Sequence, residues 1–120
     1  MPDFHYQDGE FYCEAVPLRK IAEKVGTPCY VYSHATLLRQ FRAFDSAFNE
    51  IPHLVAYAIK ANSNLAVLRL LAREGAGADI VSGGELYRAL QVGIEPQRTV
   101  FAGGGKSGAE IRYALTSNIL

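Results

Sequence analysis

The greater part of the chain alternates between apolar runs and segments with helical periodicity. Each apolar run is typical of a strand and is followed by a polar or glycine-containing turn and then by an amphipathic segment. Because the runs are continuously apolar, we expect both faces of the sheet to be covered, as in a parallel sheet. The predicted strands are residues 53–60, 77–81 and 98–102, and the predicted helices are residues 65–74, 84–92 and 109–117.

Two of these helices open with the Ser-x-x-Glu spacing of a capping box, at Ser82 with Glu85 and at Ser107 with Glu110. Repeated strand–helix units form right-handed crossovers, which build either a doubly wound sheet or a (β/α)8 barrel. A complete barrel takes about 250 residues. Three units would be an arc of such a barrel with an open edge, and residues 118–120 stop about where a fourth strand is expected to begin.

The first thirty-odd residues follow a different pattern. Aromatic residues surround an Asp8-Gly9 turn signal, which predicts a short hairpin. Gly26 is placed to end a short helix, and Ser33 is placed to cap a longer one. The elements predicted here are a helix over residues 18–24, a strand over residues 29–32 and a helix over residues 34–48.

Composition excludes several classes of function. Twelve basic residues balance twelve acidic ones, whereas a nucleic-acid surface requires a basic stripe. No apolar run approaches the roughly 18 residues that span a bilayer, and the first residues do not resemble a secretion signal. The two cysteines, Cys13 and Cys29, and the three dispersed histidines predict neither a disulfide framework nor a metal site. We therefore expect reduced thiols and a cytoplasmic protein.

Lys60 is the residue that this pattern singles out. It ends an apolar run at the carboxyl end of a predicted parallel strand, which is the edge where α/β active sites form. A lysine there is expected to be partly desolvated, which lowers its pKa and favours the free amine that attacks an aldehyde. The alternative is a lysine whose stem lies on the sheet while its ammonium group reaches water.

Four further polar residues are candidates for the same site. Asp79 lies within an apolar strand, where an unpaired carboxylate is costly, so it either faces a polar site or pairs with Lys60 one strand over. Glu85 and Ser82 are explained as a capping box and are also placed to contact a ligand. Asn62 follows Lys60 and either contacts a ligand or caps the next helix.

The glycine cluster at residues 103–105 allows two other interpretations. A phosphate-binding loop of the Walker A type requires a glycine where the chain has Val100, so that interpretation fails. Gly103, Gly105 and Gly108 do fit the dinucleotide fingerprint between a strand and a helix. However, that fingerprint belongs on the first strand of its domain, and this strand is the third.

Four segments together carry a family resemblance. Residues 57–64 (YAIKANSN) look like the cofactor-lysine segment of the barrel-type pyridoxal-phosphate-dependent decarboxylases with an alanine-racemase-like fold. Residues 26–32 (GTPCYVY), 77–86 (GADIVSGGEL) and 101–107 (FAGGGKS) resemble the diaminopimelate decarboxylase family in particular. Ornithine decarboxylases differ in the SGGEL region, and alanine racemases have Tyr-Gly where this chain has Ser63-Asn64.

The resemblance implies a fold and a set of roles. It implies a partial (β/α)8 TIM-type barrel over residues 36–120, preceded by residues 1–35, whose strands would join a separate β-domain. Lys60 matches the lysine that forms the internal aldimine with pyridoxal 5'-phosphate, and Asp79 and Glu85 match acids that line the cofactor pocket. The whole enzyme would be a homodimer that converts the amino acid meso-diaminopimelate to L-lysine and CO2.

The resemblance also implies that essential parts lie beyond Leu120. These are the residues that hold the cofactor phosphate and the pyridine nitrogen and those that bind substrate, so we expect the chain alone to be inactive. Three alternatives stay open. They are an ornithine- or arginine-type decarboxylase, a dinucleotide-binding domain and a non-catalytic homologue.

Overall fold

The computed structural model describes residues 3–120, which divide into two compact units after Ala43. The first unit contains an antiparallel sheet of three strands that lie in chain order. Asp8 and Gly9 join the first two strands with φ values of 50° and 80°, the left-handed conformations that a two-residue hairpin turn requires. The hairpin prediction is therefore confirmed. The strands are β1 Phe4–Gln7, β2 Glu10–Cys13 and β3 Val16–Pro17.

Two helices follow these strands. Helix α1 spans Leu18–Val25 and ends at Gly26, whose φ of 84° suits a residue without a side chain. Helix α2 spans His34–Ser46. Its predicted cap is confirmed, because the Oγ of buried Ser33 accepts a hydrogen bond of 3.0 Å from the N–H of Thr36.

The strand predicted over residues 29–32 is wrong. These residues have no regular secondary structure, and within residues 3–120 no strand pairs with them. Tyr30 is 92% exposed. The β-forming composition was a valid local signal, but a strand also needs a hydrogen-bonded neighbour and a surface to pack on.

The second unit contains a parallel sheet of three strands that lie in chain order, with a helix after each strand. This arrangement confirms the α/β class and the three predicted strand–helix units. The strands are β4 Ala56–Ala58, β5 Gly77–Ile80 and β6 Thr99–Phe101, and the helices are α3 Leu65–Arg73, α4 Gly83–Gln91 and α5 Gly108–Thr116. Within residues 3–120, no helix has the length and apolar character needed to cross a membrane.

The hydrophobic core of this unit lies between the sheet and its helices. Alternate residues of β5, Ala78 and Ile80, are fully buried in it, and Tyr57 and Phe101 of the flanking strands pack against it. The residues in register on the other face of the sheet are Ala58, Asp79 and Val100. The core residues are Ile59, Leu68, Ala78, Ile80, Leu86, Ala89, Ile94 and Ala114.

Candidate functional site

Lys60 lies at the carboxyl end of β4, but not in the strand itself. The chain leaves the sheet after Ala58 and forms a 3-10 turn over Ile59–Ala61. Ile59 is fully buried and anchors this turn in the core, whereas Lys60 is exposed. The prediction that Lys60 ends a strand of residues 53–60 is therefore wrong, because the strand stops at Ala58 and Lys60 lies in the turn after it. The expected burial of Lys60 is also absent, because the turn places its side chain in solvent.

Asp79 is a half-buried acid of the site. It lies in β5 in register with Ala58, which precedes Lys60 by two residues. Its Oδ1 is buried without a hydrogen-bond partner, an arrangement that is unfavourable unless a donor from elsewhere completes it. Among residues 3–120, no ion pair joins it to Lys60. The interpretation that Asp79 faces a polar site therefore stays a prediction.

Ser82 and Glu85 lie at the start of α4, directly after β5. The Ser82 Oγ accepts a hydrogen bond from the N–H of Glu85 at 3.2 Å, as in a capping box. The Glu85 carboxylate does not return to the N–H of Ser82, however. It accepts instead from the N–H of Val81 at 2.7 Å. The predicted capping box is therefore only half formed, because Glu85 stabilises the loop before the helix.

Asn62 and Asn64 shape the turn that follows Lys60. The Asn62 Oδ1 accepts a hydrogen bond from the N–H of Asn64 at 3.0 Å. The Asn64 Oδ1 in turn accepts from the N–H of Ala66 at 2.9 Å and so caps α3. Sequence reasoning considered Asn62 for this cap and missed Asn64, although an asparagine directly before the helix was the available signal.

The glycine-rich loop after β6 is held by Lys106. Gly103 has a φ of 86°, which a side chain would strain. The Nζ of Lys106 donates a hydrogen bond to the backbone oxygen of Gly103 and lies 5.1 Å from the centre of the Phe101 ring. Lys106 thus folds back on its own loop, unlike Lys60.

Glu110, at the start of α5, is a residue whose role the sequence showed only in part. Its Oε2 accepts a hydrogen bond of 2.9 Å from the N–H of Ser107, which completes the predicted capping box. Its Oε1 accepts another of 2.9 Å from the N–H of Gly83 in the neighbouring unit of the repeat. The bonds from Ser107, and then that from Gly83, hold the pKa of Glu110 below its usual value.

These residues share one edge of the sheet because the three strands are parallel. The turn after β4, the loop after β5 and the loop after β6 all leave the carboxyl ends of their strands, where α/β proteins bind ligands. An exposed primary amine at this edge can react with a carbonyl compound. The buried Oδ1 of Asp79, in the adjacent strand, can accept a hydrogen bond from a ligand.

Comparison with known proteins identifies the class of protein that carries this site. Residues 34–120 match the family described as pyridoxal-dependent decarboxylase, pyridoxal binding domain. The chain belongs to this family, whose cofactor is pyridoxal 5'-phosphate.

Within this family, the chain is similar to diaminopimelate decarboxylases. The chain is 53% identical over 120 residues to diaminopimelate decarboxylase of Vibrio cholerae, covering 99% of this chain and 29% of the relative. Diaminopimelate decarboxylase of Helicobacter pylori complexed with L-lysine matches with a TM-score of 0.81 and 45% identity, over 85% of this chain and 26% of that one. Diaminopimelate decarboxylase of M. jannaschii in complex with L-lysine matches with a TM-score of 0.85 and 39% identity, over 97% of this chain and 28% of that one. The chain thus spans less than a third of the length of these relatives.

The residues of the described chain fit the family's cofactor. An aldehyde cofactor requires an accessible lysine amine, and Lys60 supplies one at the ligand-binding edge. A polar ligand could also donate a hydrogen bond to the Oδ1 of Asp79, which has no partner within residues 3–120. Asp79 lies in the strand next to the one that precedes Lys60. The dinucleotide interpretation of the glycine loop is not supported, because the family match includes that loop.

Proposed function

We propose that the complete protein is a pyridoxal-phosphate-dependent diaminopimelate decarboxylase and that Lys60 carries the cofactor. The observation on which this proposal depends is the position of Lys60, an exposed amine directly after β4 at the edge where ligands bind. The 53% identity to a diaminopimelate decarboxylase supports the same activity.

Pyridoxal phosphate, when bound, supplies an aldehyde that condenses with amines and a ring that accepts the electron pair left by the departing carboxylate. Lys60 would hold the cofactor through its primary amine, which the amino group of the substrate would replace. The 3-10 turn fixes the backbone of Lys60 relative to the sheet, because Ile59 is buried in the core beside it. The amine of Lys60, once free, would be placed to accept or return a proton.

Asp79, Glu85, Ser82 and Asn62 are proposed as the other cofactor-binding residues of this chain. Asp79 contributes a buried acceptor, and its negative charge favours a cationic or N–H group on the ligand. The other three act chiefly by fixing the loops, since their side-chain oxygens already accept backbone hydrogen bonds. We therefore expect substitution of Asp79 to weaken cofactor binding more than substitution of Asn62.

The proposed substrate is meso-diaminopimelate and the proposed product is L-lysine with CO2. Two homologous crystal structures contain L-lysine, and their enzymes are diaminopimelate decarboxylases at 39–45% identity to this chain. A lysine/ornithine decarboxylase of Vibrio vulnificus is only 26% identical. The higher identity favours diaminopimelate over ornithine or arginine.

We propose that the parallel sheet is the first part of a closed (β/α)8 barrel. The edge of β6 that faces away from β5 supports this, because the backbone oxygen of Thr99 accepts a hydrogen bond there from the N–H of Leu120, as it would from an incoming parallel strand. Residues 36–120 would belong to the barrel and residues 1–35 to a β-domain completed by the rest of the protein. The complete enzyme is proposed to be a cytoplasmic homodimer.

Chemical trapping of the complete protein tests the role of Lys60. Borohydride reduction of the cofactor-loaded protein, followed by peptide mass analysis, is expected to place a pyridoxyl group on Lys60. The Lys60→Ala variant should lose both this adduct and the decarboxylase activity. Lys106→Ala is the matched control, since Lys106 lies at the same edge but is bound to its own loop, and it should keep the adduct. An adduct on another lysine, or none, would refute the proposal.

Two activity measurements extend this test. The complete protein should release CO2 from meso-diaminopimelate and much less from ornithine or arginine, and the reverse preference would assign it to the basic amino-acid decarboxylases. Residues 1–120 alone should release none, because the chain lacks most of the length of its relatives. Decarboxylation by the purified fragment would contradict this expectation.

A further inference from the structure

Glu110 connects two loops of the site through the two oxygens of one carboxylate. Oε2 accepts hydrogen bonds from the N–H and the Oγ of Ser107, at 2.9 and 3.0 Å, within the start of its own helix α5. Oε1 accepts from the N–H of Gly83, at 2.9 Å, in the first turn of the preceding helix α4. An ordinary capping box is confined to one helix, so the second contact needs a separate explanation.

Gly83 has no side chain that would obstruct this contact. A methyl carbon built on Gly83 would lie 3.2 Å from Cγ and 3.7 Å from Oε1 of Glu110, which is closer to Cγ than ordinary packing allows. The absence of a side chain therefore lets the carboxylate approach the backbone of α4. A side chain at this position would require the Glu110 side chain to shift by a few tenths of an ångström.

This link supplies an acceptor to the first turn of α4. Its own acid, Glu85, accepts from Val81 and leaves the turn without the usual return contact. The N–H of Gly83 would otherwise be one of the unpaired donors at a helix start. Glu110 pairs it with a full negative charge, which gives a hydrogen bond stronger than a neutral one. The link thus connects the loop after β5 to the loop after β6.

We propose that Glu110 is a positioning residue for the cofactor pocket, acting through Gly83 on the loop that carries Ser82 and Glu85. This inference rests on the proposed function. Gly83 adjoins Ser82, so a change in its backbone position moves the side chains of the pocket. The competing explanation is that Glu110 serves only to cap α5.

Two variants separate these explanations. Glu110→Asp keeps the charge at the start of α5 but shortens the side chain by one methylene, which withdraws it from Gly83. Ser107→Ala removes the side-chain cap of α5 and leaves the carboxylate within reach of Gly83. Both variants weaken the start of α5, so a general loss of stability would affect them alike. Only Glu110→Asp removes the link.

The first measurement is amide hydrogen exchange at Gly83 in the complete protein without cofactor. Exchange should be slow in the parent and in Ser107→Ala, and at least about tenfold faster in Glu110→Asp, because that amide then loses its acceptor. This readout does not depend on catalysis. Equal exchange in the parent and Glu110→Asp would overturn the inference.

The second measurement is the dissociation constant of pyridoxal phosphate, followed by its visible absorbance on the complete protein. The dissociation constant should rise about tenfold in Glu110→Asp, because that variant loses one charge-assisted hydrogen bond. It should rise less than twofold in Ser107→Ala. Equal increases in the two variants would show that Glu110 acts only as a cap and would overturn the inference. If the parent protein itself fails to bind pyridoxal phosphate at Lys60, the proposed function fails, and the Gly83 exchange result still decides whether the link exists.

Discussion

Replacing Gly77 by alanine tests how tightly the parallel sheet is packed. Gly77 is buried at the start of β5. A methyl carbon built there would overlap the backbone oxygen of Arg98 and lie 3.1 Å from Cδ1 of Leu54. Leu54 can rotate away, but the Arg98 oxygen belongs to the backbone just before β6, so β5 and β6 must move apart. Overpacking of this kind typically destabilises by about 1–3 kcal/mol, and we expect the upper part of that range because backbone has to move.

Urea unfolding of the complete protein, followed by circular dichroism, measures this effect. The midpoint should fall in Gly77→Ala while the slope of the transition is preserved. Gly108→Ala is the matched control, since Gly108 begins α5 and a methyl carbon there has no neighbour within 4 Å. That variant should be neutral or more stable by about 0.4–1 kcal/mol, through loss of freedom in the unfolded chain. A Gly77→Ala protein as stable as Gly108→Ala would refute the packing argument.

Three further predictions concern core packing, helix capping and the pH dependence of stability. Leu86→Ala should destabilise by about 3 kcal/mol in urea unfolding because Leu86 is fully buried, whereas Leu86→Met should cost less than about 1.5 kcal/mol. Asn64→Ala should destabilise by about 1 kcal/mol through loss of the α3 cap, and Asn64→Asp should retain most of the stability. Hydrogen bonds from the N–H of Ala35 and then from the hydroxyl of Ser33 lower the pKa of Glu14, so its stabilisation is complete above the ordinary glutamate pKa and is lost as the pH falls through the lowered value. Glu14→Gln should flatten this acid dependence, and an unchanged pH profile would contradict the assignment.

Local chemistry allowed much of the fold to be predicted from the sequence. Asp8 and Gly9 tolerate the left-handed backbone that a two-residue turn requires, and the hairpin follows. Continuous apolar runs and capping residues placed the parallel strands and the starts of α4 and α5. These signals depend on neighbours within a few residues, so they could be read without knowledge of the tertiary structure.

The features that were missed depend on long-range partners. Residues 29–32 favour a strand by composition, yet within the described chain no strand pairs with them. The 3-10 turn at Lys60 forms because Ile59 is held in a core built from three helices, which an apolar run does not reveal. The contact between Glu110 and Gly83 joins positions in separate units of the repeat, and the capping-box pattern accounts for only half of that carboxylate.

The order of the strands has a consequence for how the chain acquires its structure during synthesis. Each strand of the parallel sheet pairs with the strand before it in sequence, and the partners Ala56 with Gly77 and Ala78 with Thr99 have the same separation. The entropy lost in closing each of these two crossovers is therefore similar, and neither of the two pairings has to wait for a distant segment. As the chain leaves the ribosome, each new strand–helix unit can join an edge that is already formed, so the strand that precedes Lys60 should acquire its first partner well before translation ends.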